Sequence, residues 1–339
     1  MEPDAIENVD RVPHGGEPDP SILDCSANVN PRRPDGVDAV YREALSASTR
    51  YPDDDYPAFR AAAADYVGCE PDHVVPTAGG LAAIRLAIEV TVSDGDEVLV
   101  PFPSFGEYAR EVRLQGAEAR FVPHDELLDA DPDGCTLAIA CTPNNPTGEA
   151  ADPDAIETFA RRCATAGTTL LVDEAFLGFT SLPSAATFDH ENVIVARSLT
   201  KLFGLPGLRA GFAVASGELG DAVGTARPAW SLGTPAARVG AHCMGDETFV
   251  RETRERVRRE RARVSDRLAA AGFEVYPSDA PFLLLECVDR EPSAVIERAR
   301  PEGVAIRDAT TFRGLDAHLR VAITDRAAND RLLEVLDDD

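Results

Sequence analysis

The sequence predicts an α/β protein, with a large domain built on a mostly parallel sheet and a smaller α+β domain after it. Three observations lead there. Six short apolar runs, EVLVP (97–101), ARFVP (119–123), TLAIACTP (136–143), TTLLVDEAF (168–176), NVIVARS (192–198) and RAGFAVA (209–215), lack clean polar–apolar alternation. Strands covered on both faces look like this, and the helical patterns between them imply parallel pairing. From about residue 227 the pattern changes to one long charged helix and then a second group of strands. With 339 residues, 44% of them hydrophobic, the chain can bury the core such a body needs.

Taken in order, residues 1–36 are rich in Pro, Gly and Asp around one apolar run (22–27) and read as an extended arm lying on the rest. Residues 37–226 form the large domain. It opens with a short helix pattern at 37–45, followed by RYPDDDY, where Tyr51-Pro52 makes a turn. Pro57 then starts an alanine-rich helix, a position where its missing N–H costs nothing. VVPTAGG (74–80) leads into LAAIRLAIEVTV, so Gly79 and Gly80 open a helix whose free amides and dipole suit a phosphate. The runs above follow. Residues 227–339 form the small domain. Its first long helix, 249–272, carries Val250, Val257, Val264 and Leu268 along one seam. Eight arginines between 251 and 267 are interleaved with acids and read as a solvated face, not as a polyanion surface. EVYPS, FLLLECV, GVAIRDA and HLRVAIT are strands, with Arg307 and Arg320 on or beside them, and LLEVLDDD is a terminal helix.

Acidic residues number 59 against 33 basic, giving a net charge of −26. Such a surface repels nucleic acid and anionic membranes, and it suits concentrated salt, where self-repulsion is screened. The expectation is a halophile's protein with no nucleic-acid or membrane partner. Seven scattered cysteines without a CxxC pair point to reduced thiols, with no disulfide framework and no metal site. An acidic N-terminus without an apolar segment, and no long apolar run elsewhere, point to a soluble cytoplasmic protein.

Of the 33 Lys+Arg, Lys201 is the only lysine. Arginine forms no imine, whereas a lysine amine with a lowered pKa condenses with an aldehyde. Around Lys201 stand Ser198, Thr200 and Arg209, which suit an anionic aldehyde cofactor such as pyridoxal 5'-phosphate (PLP). That group needs a carboxylate facing its pyridine nitrogen, a donor facing its phenolate oxygen and a phosphate cradle. Asp173, Asn145, and Ser198 with Thr200, Arg209 and Gly79 are the candidates, and Tyr108 in PFPSFGEY is the candidate to stack on the ring. Ligands of open parallel sheets gather beyond the carboxyl ends of the strands. NNPTG (144–148), Asp173-Glu174 and Ser198–Lys201 each follow such a run.

NNPTG, DEA, SLTK and GLRAG, in this order and spacing, resemble the aspartate-aminotransferase-like superfamily of PLP enzymes, fold type I, over roughly residues 13–335. The resemblance implies a homodimer with shared active sites, in which Tyr51 reaches the partner's cofactor phosphate. HGG (14–16), LDCSANVNP, RYPDDDY, CTPNNPTG, DEAF, RSLTKLFGLPGLRAG and RVAI resemble the threonine-phosphate decarboxylases of cobalamin assembly in particular. Aminotransferases commonly carry tyrosine where Phe176 stands, and the decarboxylases resemble this chain in having phenylalanine. The implied reaction is decarboxylation of L-threonine O-3-phosphate to (R)-1-amino-2-propanol O-2-phosphate. Arg307 and Arg320 would hold the substrate's anionic groups, helped by His14, Gly15, Asn28, Tyr51 and Asn145. The alternatives are a histidinol-phosphate aminotransferase and, from another class, a catalytically silent PLP-binding module. One motif departs from the family: where Gly-Asn-Gly-Glu is expected, the chain reads Thr77-Ala78-Gly79-Gly80.

Overall fold

The computed structural model describes residues 1–337, so the last two aspartates of the expected terminal helix lie outside the described residues. The arm contains α1 (Pro3–Ile6) and β1 (Leu23–Asp24), and α2 (Val37–Ala47) and α3 (Pro57–Val67) follow. The large body consists of β2 (Val74–Thr77), α4 (Gly80–Thr91), β3 (Glu97–Phe102), α5 (Glu107–Leu114), β4 (Glu118–Pro123), β5 (Leu137–Cys141), α6 (Pro153–Ala166), β6 (Thr169–Asp173), β7 (Val193–Ser198) and β8 (Gly211–Val214). Next come α7 (Gly217–Ala226), α8 (Thr234–Met244) and α9 (Glu247–Ala270). The small body is β9 (Phe273–Val275), β10 (Phe282–Cys287), α10 (Pro292–Ala299), β11 (Val304–Ala305), β12 (Arg307–Asp308), β13 (His318–Ala322) and α11 (Arg326–Asp337).

Seven strands form the large sheet in the order β2-β8-β7-β6-β5-β3-β4. Every ladder from β7 to β4 is parallel, while β8 runs antiparallel to both of its neighbours. The missing alternation has its expected cause. In β5, Leu137 and Ile139 point into the core shared with α4, α5 and α7, while Ala138 and Ala140 point into the core on the opposite face. In β6, Leu171 goes to the first of these cores and Leu170 and Val172 to the second. The register then levels the strand ends, for Cys141 pairs with Asp173 and Asp173 with Ala196.

The small sheet, β12-β13-β10-β9, is antiparallel and puts Arg307 directly opposite Arg320. The arm joins the two bodies: β1 adds to β11 in parallel, and α1 packs on α5. One boundary differs from expectation. Helix α8, assigned by sequence to the small domain, packs against α2 and α3, so the break at residue 227 falls too early. The apolar face of α8 (Ala236, Val239, Cys243) is buried against α2 and α3 of the large body. All seven cysteines are free, and no helix among the described residues is long and apolar enough to cross a membrane.

Candidate active site

The levelled ends of β5, β6 and β7 open into a cavity of about 690 Å³, within the usual range for small-molecule sites. Its walls include Asn145, Asp173, Phe176, Ser198, Thr200, Lys201 and Arg209 from the large body, and Arg307 and Arg320 from the small one. His14, Gly15 and Asn28 of the arm close one side. Asn28 of the arm and Lys201 of the large body, 173 positions apart in sequence, line one cavity because three strand ends and the arm converge there.

Burial sets the electrostatics. Lys201 is taken out of water among Arg320 and Arg209, which together push its amine down to about 8. At pH 7 roughly a tenth of the amine is then the neutral nucleophile, against well under a hundredth at its ordinary value, and the neutral form is what condensation with an aldehyde requires. Asp173 sits at the end of β6 with 4% exposure, and burial raises its carboxyl above the ordinary range. Two donors oppose that rise: the Tyr108 hydroxyl at 2.5 Å and the Ala175 amide at 2.9 Å. Glu174, next in sequence, points away into a buried pair with Arg197 at 2.9 Å and accepts from Ser184 Oγ and the Ala185 amide. That anchor fixes the chain direction at the point where Asp173 meets the cavity.

The phosphate cradle is built mainly from backbone and space. Gly79 has φ +94, and a Cβ there would lie 2.8 Å from Arg209 Nη2; at Gly80 it would lie 3.0 Å from Ser198 Cβ. The two glycines therefore let the N-terminus of α4, the Arg209 guanidinium and the Ser198 hydroxyl come together. Ser198 Oγ and Thr200 Oγ1 are 2.9 Å apart, and Arg209 holds φ +53. The departure at 77–80 thus removes side chains but leaves amides, two hydroxyls and a guanidinium, a donor set that fits a phosphate.

At the other end, Arg320 is buried and donates to Asn145 Oδ1 and, at 3.1 Å, to Ser26 O, while its Nε has no partner. Arg307 donates at 2.8 Å to Pro13 O and at 2.9 Å to Thr311 Oγ1. Neither guanidinium has a carboxylate within ion-pair distance among the described residues. Asn28 Oδ1 is likewise buried without a partner. Buried donors and acceptors left in this way mark a place where a polar ligand completes the bonding. His14 Nε2 lies 2.9 Å from Glu107 Oε1, and Gly15 is pressed so closely on Ser26 that a Cβ would lie 2.3 Å from its carbonyl oxygen.

One sequence expectation needs correction. Tyr108 does not face the cavity. It is fully buried in the core beneath, with its hydroxyl on Asp173, and cannot stack on a ligand ring. Phe105, one helical turn earlier in the same PFPSFGEY stretch, lines the cavity instead and packs edge-on to Tyr108 at 5.6 Å. The motif holds three aromatics, of which Phe102 and Phe105 reach the cavity and Tyr108 does not. Tyr51, expected to serve a partner's site, lies outside this chain's own cavity, 79% exposed and stacked on Trp230 at 4.5 Å.

A buried lysine of lowered pKa, a buried carboxylate and an amide-lined anion cradle at the end of a parallel sheet define a PLP-dependent enzyme, and PLP is the cofactor these residues fit. The chain belongs to the family described as aminotransferase class I and II, whose pattern matches residues 21–336. Two curated relatives with different reactions are similar to it. Histidinol-phosphate aminotransferase 2 of Archaeoglobus fulgidus is 31% identical over 327 residues, covering 94% of this chain and 93% of that one. Threonine-phosphate decarboxylase of Salmonella typhimurium is 33% identical over 344 residues, covering 95% and 92%. Among solved structures, histidinol-phosphate aminotransferase from Sinorhizobium meliloti in complex with pyridoxal-5'-phosphate superposes with a TM-score of 0.83 at 22% identity, covering 91% and 89%.

Proposed function

We propose that the protein decarboxylates L-threonine O-3-phosphate to (R)-1-amino-2-propanol O-2-phosphate, a step of cobalamin assembly. The observation that carries this reading is the pair Arg307 and Arg320, set opposite each other on β12 and β13 and both facing the cavity that contains Lys201. A substrate with a carboxylate and a phosphate on neighbouring carbons satisfies both guanidinium groups bidentately. Histidinol phosphate offers a phosphate and no carboxylate. Phe176 supports the same reading: it is buried edge-on against Phe282 at 5.1 Å and brings no hydroxyl to the ring's phenolate side.

Bound in this cavity, PLP supplies an electron sink for the bond broken at the amino acid's α-carbon. The chain's residues do the rest. Lys201 anchors the cofactor, and Ser198, Thr200, Arg209 and the amides at Gly79 and Gly80 hold its phosphate. Asp173 would keep a proton on the pyridine nitrogen, Asn145 would donate to the phenolate oxygen, and Phe105 would pack against the ring. Arg320 and Arg307 would hold the substrate's carboxylate and phosphate and so select which bond of the α-carbon is broken. Lys201 Nζ, in the same cavity, would supply the proton that replaces CO2 at that carbon. His14, Gly15 and Asn28 close over the substrate's phosphate. We place the enzyme as a homodimer in which Tyr51 contacts the partner's cofactor phosphate and substrate.

The deciding experiment gives the PLP-loaded protein O-phosphothreonine and measures CO2, beside a second reaction with histidinol phosphate and 2-oxoglutarate that measures glutamate. CO2 without glutamate is expected. Glutamate without CO2 would overturn the reading in favour of histidinol-phosphate transamination.

A further inference from the structure

The arginine-rich helix α9 is not a solvated face throughout. Arg251, Arg254, Arg258 and Arg261 recur at offsets of three, seven and ten residues, and so share one side of the helix. That side lines a second cleft, of about 840 Å³, which shares no lining residue with the Lys201 cavity. The opposite wall comes from the large body: residues 150–153 at the start of α6, and residues 179–182, with Thr180 and Ser181 among them. The cleft therefore lies between the two bodies.

Of the other four arginines on α9, three are held and Arg259 is exposed to solvent. Arg263 pairs with Glu260 and Asp330, Arg267 pairs with Asp337, and Arg256 donates to Thr324 O and Asn30 Oδ1. The four in the cleft have no carboxylate within ion-pair distance among the described residues, in a chain with 59 acids against 33 bases. Arg254 and Arg261 touch only backbone carbonyls, Gly178 O and Ala280 O, each at 2.9 Å. Three carboxylates share the cleft with the four arginines: Asp152 caps α6 through the Asp154 amide, and Asp279 accepts from the Ala150 amide and acts electrostatically on Arg261. Glu255 is the third.

Guanidinium forks match phosphate oxygens bidentately, and the four span roughly 15 Å of helix at 1.5 Å per residue. The geometry points to a second anion site in this cleft, taking a small molecule that carries two or more phosphate charges. Arg254 ties the site to the turn that follows Asp173 and Phe176, because its other commitment is Gly178 O.

The test uses the PLP-loaded full chain titrated calorimetrically with inorganic pyrophosphate in KCl buffer. The Arg307→Gln variant, in which the Lys201 cavity loses an anion-binding group, should keep a class of pyrophosphate sites. The double variant Arg251→Gln, Arg258→Gln should weaken that class by about tenfold or more, with the visible absorbance of the bound cofactor unchanged. Both side chains are exposed, so folding is not at stake. Ser181→Glu, an exposed change on the facing wall, should weaken it similarly by adding a like charge. The inference is overturned if pyrophosphate does not bind, if Arg307→Gln removes all binding, or if neither cleft variant changes it.

Discussion

The Tyr108 hydroxyl donates to Asp173 Oδ2 at 2.5 Å, so the residue expected to cover the cofactor supports, from below, the carboxylate that faces it. Burial alone would drive Asp173 toward its neutral form, and this bond and the Ala175 amide hold it back. The same contact, in a buried place, pushes the Tyr108 phenol well above its usual range and keeps it a donor.

Tyr108→Phe should therefore let Asp173 take up a proton more readily and weaken its hold on the pyridine nitrogen. A hydrogen bond to a charged group contributes roughly 1.5–3 kcal/mol, so kcat should fall about ten- to a hundredfold. Steady-state turnover, read beside the pH titration of the cofactor's visible band, checks this. An unchanged band and rate would show the bond to be dispensable.

Gly79→Ala should damage cofactor binding without unfolding the sheet. The new methyl meets Arg209 Nη2 at 2.8 Å on a backbone at φ +94, so both strain and displacement of the guanidinium follow. Equilibrium dialysis should show PLP affinity lower by about tenfold or more.

Lys201 gives a pH prediction with a definite sign. Its amine in the folded protein titrates at about 8, against an ordinary 10.5, chiefly through burial and then through Arg320 and Arg209. Capture of PLP by the cofactor-free protein should accelerate as pH rises through about 8, as the neutral amine forms. Between these two values the unfolded chain binds more protons at this site, so the stability of the cofactor-free protein should rise with pH. Lys201→Met should abolish both the visible band and this contribution to the pH dependence; persistence of the band would refute the anchoring role.

Glu174→Gln should destabilise the fold by about 3–5 kcal/mol, since it strands the buried Arg197 guanidinium. Arg197 also lies over the Tyr66 ring at 5.2 Å, which offsets only part of the loss. Denaturant unfolding at fixed salt measures it.

The strand order of function was legible because chemistry and pattern coincide in this chain. Apolar runs ending in NNPTG, DEA and SLTK announce both a parallel sheet and the place where its ligand lies, and a single lysine among arginines announces the anchor. The apolar runs locate β3 to β8 because strands buried in the middle of the sheet leave uninterrupted Val, Ile, Leu and Ala, but β2 was hidden as the lead into a helix and GVAIRDA divides into β11 and β12 of different sheets.

What sequence alone determined was thus the set of local structures and the identity of the cofactor. Tertiary structure decided what depends on direction and distance. It placed Phe105 on the cavity and Tyr108 beneath Asp173, because both belong to one aromatic motif and only the seating of α5 on the sheet orients them. It moved α8 to the large body and turned one face of α9 from solvent to a cleft, because a helix's amphipathic pattern says that a face is buried and not which surface receives it. It also set Arg307 across from Arg320, a relation fixed by the hydrogen-bond register of two strands and absent from their spacing in the chain.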